Sequence, residues 1–187
     1  MSRTLVSSLV VAVLFNVACG EPPDREIQQA LGAIDAARAA GAEQYAREEL
    51  TAAEVAVEQA HDAIAAGDLR LALNHALDGR ERARNAAMLA ADRKVAAGVE
   101  ADHVLAALAA ALTAAQTSLR AAESAQTPPG ALEGPQTAIM DGERLLQEAR
   151  AAFQKGDYSA VVELDLKIAP LLAAAVKDLT EATPARQ

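Results

Sequence analysis

Roughly a quarter of the chain is alanine, and larger apolar residues recur among these alanines at steps of three and four. Alanine has the highest intrinsic helix propensity, because its methyl group loses no rotamer freedom on joining a helix. The β-branched and aromatic side chains that sheets rely on are too sparse here, with two Tyr, two Phe and no Trp. The reading is an all-α chain of long antiparallel alanine-rich helices forming an elongated bundle. Such helices pack closely but bury little area per residue, so part of the bundle's stability is expected from a partner or from self-association. The formal net charge of −9 works against attraction to nucleic acid or anionic lipid headgroups.

The seams place the helices. Asp24 is the expected N-cap of the first, which carries Ile27, Leu31 and Ile34 at helical spacing. Gly41-Ala42 should kink or interrupt it. Leu50, Ala53, Val57, Ala60 and Ile64 alternate steps of three and four, and the run stops at Gly67-Asp68. A second long run begins at Leu69. It has Leu73, Leu77, Met88 and Val95 on one side and Arg80, Arg82 and Arg84 largely on others, with Gly79 and Gly98 inside it. Leu105, Leu108, Leu112, Ala115 and Leu119 resume the seam, which must end before Thr127-Pro128-Pro129-Gly130. Pro135 suits a first helical position. Ile139, Leu146, Ala149 and Phe153 line the next helix, and Lys155-Gly156-Asp157-Tyr158 turns the chain. Val161, Ile168, Leu172, Val176 and Leu179 line the last helix, which Pro170 should kink. The expected organisation is a long helical hairpin over 24–126, a Pro/Gly linker over 127–134, a second hairpin over 135–182 and a disordered tail over 183–187.

The two turns read as an internal repeat. Glu54 to Leu77 aligns with Glu143 to Leu166 without a gap, matching Ala60 with Ala149 and Gly67-Asp68 with Gly156-Asp157. Glycine at a helix end accepts the left-handed conformation. The following aspartate can accept from the next helix's free amides and complement its positive end. Gly67, Asp68, Gly156 and Asp157 are therefore the expected structural turns. The Gly-Asp-Tyr turn looks locally like a tetratricopeptide repeat, without that repeat's 34-residue period.

The N-terminus indicates export. Arg3 precedes an apolar run from Leu5 to Phe15, too short for an ordinary transmembrane helix, and small residues follow. Residues 1–18 read as a signal peptide. Val17-Ala18-Cys19-Gly20 resembles the lipobox of bacterial lipoproteins, which implies lipidation of Cys19 and a membrane-proximal spacer over 19–23. The same residues also fit an ordinary signal peptide with an incidental cysteine. Cys19 is the chain's one cysteine, and acyl chains there would give stable attachment. Gly20, standing where inner-membrane lipoproteins of enteric bacteria carry Asp, implies the periplasmic side of the outer membrane. Ala39-Ala40-Gly41-Ala42-Glu43-Gln44-Tyr45-Ala46-Arg47-Glu48-Glu49-Leu50, followed by Ala63 to Leu69, resembles an uncharacterised family of bacterial envelope lipoproteins. Their alanine-rich helical-hairpin domain of unknown function precedes OmpA-like domains in other proteins. The resemblance covers about 24–94, with Arg47 in place of the family's proline.

No catalytic, cofactor-binding or metal site is expected. His61 and His75 flank the first turn near Asp62 and Asp78, and His103 adjoins Asp102, but none has ligand spacing such as HExxH. Glycines are single, and no Gly-x-Ser-x-Gly occurs. The expected function is non-enzymatic: a scaffold or adaptor, tethered to the membrane through Cys19, that binds another envelope protein or itself through helix faces. The alternative is a passive spacer near the outer membrane or cell wall. An exposed apolar stripe would favour the adaptor and a uniformly charged exterior the spacer.

Overall fold

The structure, a computed structural model, describes residues 21–183. Among them are six helices and no strand: α1 (Asp24–Ala39), α2 (Ala42–Tyr45), α3 (Arg47–Ala65), α4 (Leu69–Ser124), α5 (Pro129–Gln154) and α6 (Tyr158–Ala182). The spine is α4. Its 56 residues extend about 84 Å at 1.5 Å per residue. One lobe, α1 to α3, packs along its first half, and a second lobe, α5 and α6, along its second half. The two expected hairpins thus share α4, and each becomes a three-helix unit.

Contacts fix the directions. Arg80 donates to Gln29, and Arg93 donates to the Tyr45 carbonyl at 2.8 Å, so the α1–α2 segment advances with α4. The short turns at Gly67 and Gly156 reverse the chain, making α3 antiparallel to α4 and α6 antiparallel to α5. The chain enters α1 near the Leu69 end of α4, and the second lobe lies toward the opposite end.

Both Gly-Asp turns are built alike. Gly67 has φ +77 and Gly156 has φ +76, the left-handed conformation that lets a helix end without steric cost. The Gly67 amide donates to the Ile64 carbonyl and the Asp68 amide to the Ala63 carbonyl, both at 2.9 Å. The Gly156 amide donates to Phe153 at 2.9 Å and the Asp157 amide to Ala152 at 3.0 Å. This is the Schellman arrangement, and it satisfies carbonyls left free at the helix end. The Asp68 carboxylate accepts from the Leu71 amide at 2.9 Å, and that of Asp157 from the Ala160 amide at 3.2 Å. The turn after α4 repeats the backbone pattern, with amides of Gln126 and Thr127 donating to Glu123 and Ala122. There Gln126 holds the left-handed position at φ +58.

Several expectations are corrected. Pro23, not Asp24, is the N-cap of α1, and no side chain caps it. Its carbonyl accepts from Ile27, while Asp24 and Glu26 lie in the first turn, where acids complement the helix dipole. Gly41, at φ +93, interrupts the first helix and opens α2. The linker shrinks, because α5 begins at Pro129 and Pro135 lies buried inside it. Pro129 already occupies the first-turn position where proline costs no hydrogen bond. Pro170 lies inside α6, which continues through it.

The largest correction concerns α4. Its buried face is Ala72, Ala76, Gly79, Ala83, Ala86 and Ala90, continuing as Ala101, Leu108, Ala115 and Ala122. Leu73, Leu77, Met88 and Val95 are exposed, and so is Leu31 on α1. The cause is steric. A Cβ on Gly79 would stand 3.0 Å from Val57 Cγ2 and 3.2 Å from the Ala53 carbonyl oxygen. At that separation only glycine and alanine fit on the α4 side of the contact with α3, so the leucine row turns outward.

Candidate functional site

Displacing leucine from the first-lobe seam gives α4 an apolar outer surface. At about 100° per residue, Leu73, Leu77, Met88, Val95 and Val99 fall on one side of the helix, facing away from the alanine seam. Met88 is 61% exposed, Val95 69% and Val99 56%. Between the lobes, no residue from Ala91 to Glu100 is buried. Arg80 and Arg84 accompany Leu77 and Met88 along an open groove of about 770 Å³.

A second apolar surface lies between α4 and α5. Two adjoining grooves of about 550 and 510 Å³ share Met140 and Glu143. Leu112, Leu119, Ile139 and Leu146 give them an apolar floor, and Met140, 69% exposed, stands on the rim. Arg120, Arg144 and Arg150 supply the lining cations. Gln116 donates to Glu143 across the two helices. The cleft touching α3 and α4 in the first lobe is different, being lined by Glu48, Glu49, Ala52, Arg82 and Asn85.

The aromatic residues of the described chain converge where the lobes meet. The Phe153 and Tyr158 rings lie 5.5 Å apart at 56°. Tyr158 packs over Gly98, where a Cβ would stand 3.1 Å from its Cζ. Gln44 donates to the Ser159 hydroxyl at 3.4 Å. The Tyr45 hydroxyl is buried and has no hydrogen-bond partner among the described residues. Desolvation, followed by the neighbouring Tyr158 and Asp157, raises its pKa above the ordinary phenol value. Among the described residues, Glu49 Oε2 and Thr127 Oγ1 are also buried and unpartnered, Thr127 in the turn after α4. The ion pairs lie at the surface. Arg38 bridges Asp35 on α1 and Glu54 on α3, and the hydrogen bond to Glu54 is the main cause of its raised pKa. Arg82 pairs with Asp78 at 2.7 Å.

Among the described residues, no group of three or more His, Cys, Asp or Glu could hold a metal ion. His61 and His103 are exposed, and His75 is half-buried. Gly67, Asp68, Gly156 and Asp157 form the two chain reversals and line neither groove. Cys19 lies outside the described residues. The α4–α5 groove was missed in the sequence because Met140, Arg120 and Arg150 fall beside the seams. Only the relative placement of two helices brings them together. The α4 row is visible as periodicity, which puts Leu73, Leu77, Met88 and Val95 on one side without saying whether that side faces inward. No protein family, curated protein or solved structure matches the chain.

Proposed function

We propose that the chain is a lipid-anchored, non-enzymatic scaffold of the bacterial envelope that binds another protein through α4 and the α4–α5 groove. The observation that carries the reading is the set of large apolar side chains left on the outer side of α4. Exposed apolar patches of this kind mark interaction surfaces, whereas a passive spacer calls for a charged exterior. The lipobox resemblance at Cys19 and the preceding apolar run support the tether and the placement at the periplasmic face of the outer membrane. The alanine-rich hairpins and the Ala63-to-Leu69 turn support kinship with the envelope lipoproteins of unknown function. Because α1 starts near the Leu69 end of α4, an anchor a few residues upstream would hold that end at the membrane. Leu112 would then stand roughly 65 Å farther along the helix.

Photo-crosslinking in intact cells tests the adaptor. A crosslinking residue placed at Met88 or Met140 should trap one discrete partner, while Glu58, exposed on α3, should trap none. Equal, diffuse labelling at all three positions would favour the spacer. Cys19→Ser tests the tether: the variant should accumulate unprocessed or soluble. Wild-type size and membrane fractionation in that variant would remove the anchor from the account.

A further inference from the structure

The α4–α5 groove has the dimensions and chemistry of a seat for one further helix. Its α4 wall runs from Ala109 to Arg120 and its α5 wall from Gln136 to Arg150. These stretches correspond to about 16 and 21 Å, or roughly three to four helical turns. The apolar floor would receive the apolar stripe of an amphipathic helix, as in other helix-in-groove recognition. Charge then selects among such helices. In a chain of net charge −9, the groove is lined by three arginines and one carboxylate. That carboxylate, Glu143, already accepts from Gln116. Arg144 is paired with Asp141 and Glu148 on its own helix, but Arg120 and Arg150 have no ion-pair partner among the described residues. Glu143 keeps its charge in that hydrogen bond, so two unpaired arginines stand against one carboxylate and the lining is net positive, against the sign of the whole molecule.

We propose that this groove binds an amphipathic helix of another protein, about four turns long, whose apolar stripe is flanked by aspartate or glutamate. The proposal rests on the adaptor reading and gives its partner a chemical class. A second copy of this acidic chain is the competing occupant.

The test uses the full chain and two synthetic helical peptides of about four turns with the same leucine stripe. One carries Glu on its flanks and the other Lys at the same positions. Fluorescence anisotropy should show the Glu peptide binding at least about tenfold more tightly than its Lys twin, with the difference shrinking as salt rises. Met140→Glu should weaken binding of the Glu peptide at least about tenfold. Arg120→Glu combined with Arg150→Glu should reverse the preference. All three side chains are exposed, so circular dichroism should stay at the wild-type level and separate lost binding from lost folding. Equal binding of the two peptides, a preference untouched by the double charge reversal, or no binding of the Glu peptide would overturn the proposal. So would a concentration-dependent dimer abolished by Met140→Glu. Discrete crosslinks from Met88 in cells alongside such a failure would leave the adaptor standing and remove only the acidic-helix partner. Loss of both results would remove the adaptor as well.

Discussion

The two lobes use the same register with different residues. Laying the Gly67-Asp68 turn over Gly156-Asp157 places Leu50 on Ile139, Val57 on Leu146 and Ala60 on Ala149, and all six are buried. Beyond the turn, the buried Ala72, Gly79, Ala83 and Ala90 of α4 correspond to the buried Val161, Ile168, Leu172 and Leu179 of α6. One hairpin is therefore held by close approach of backbones, and its counterpart by apolar volume. The small-residue seam leaves larger apolar side chains for the outside of α4. The large-residue seam buries Val161, Ile168, Leu172 and Leu179, although α6 also leaves Val162 and Leu166 exposed. The buried positions on either side of the two turns thus share one register.

The comparison breaks hardest at its most divergent pair. Leu172 is 1% exposed, so Leu172→Ala should cost about 2–5 kcal/mol by lost burial and the remaining cavity. At the corresponding site Ala83→Leu should also destabilise, by about 1–3 kcal/mol, because the added atoms have no room. Denaturant unfolding measures both, and a gain from Ala83→Leu would mean that α3 and α4 are not as close as described. At the turns, Gly67→Val and Gly156→Val should each cost about 1–2 kcal/mol through the left-handed penalty. Asp68→Ala and Asp157→Ala should cost about 1 kcal/mol each through the lost cap. Unchanged melting for both variants of a turn would show a continuous helix there. The turn after α4 gives the opposite sign: Gln126→Gly should stabilise by about 0.5–1 kcal/mol, relief of the left-handed strain being partly offset by unfolded-chain entropy. Smallest of all, Met88→Glu and Met140→Glu should shift stability by less than about 0.5 kcal/mol, since both side chains are already in solvent.

These differences mark what the sequence could disclose. The all-α class, the Gly67-Asp68 and Gly156-Asp157 chain reversals and the break at Gly41 follow from local chemistry: helix propensity, a left-handed glycine and a capping carboxylate act within a few residues. The inward face of α4 does not. Periodicity groups Leu73, Leu77, Met88 and Val95 on one side of the run, but it does not say which side another helix covers. Gly79 among alanines was the available signal for close packing, but its meaning depends on Val57 and Ala53 of another helix. Pro135 was misplaced for a related reason. Two prolines compete for the start of α5, and local preference accepts either. The α4–α5 groove depends on helix placement: its floor residues Leu112, Leu119, Ile139 and Leu146 read as seam positions, while Met140, Arg120 and Arg150 carry no periodic signal.

Thiol labelling measures directly which side of α4 faces inward. In a Cys19→Ser background, single cysteines at Leu77, Met88 and Val95 should react with a water-soluble maleimide at rates close to those of the unfolded chain. Cysteines at Ala76, Ala83 and Ala90, each fully buried, should react at least about a hundredfold more slowly while the helical signal persists. Protection of the leucine-row positions together with rapid labelling of the alanine positions would contradict the account, placing the leucines in the core and removing the apolar surface on which the proposed function rests.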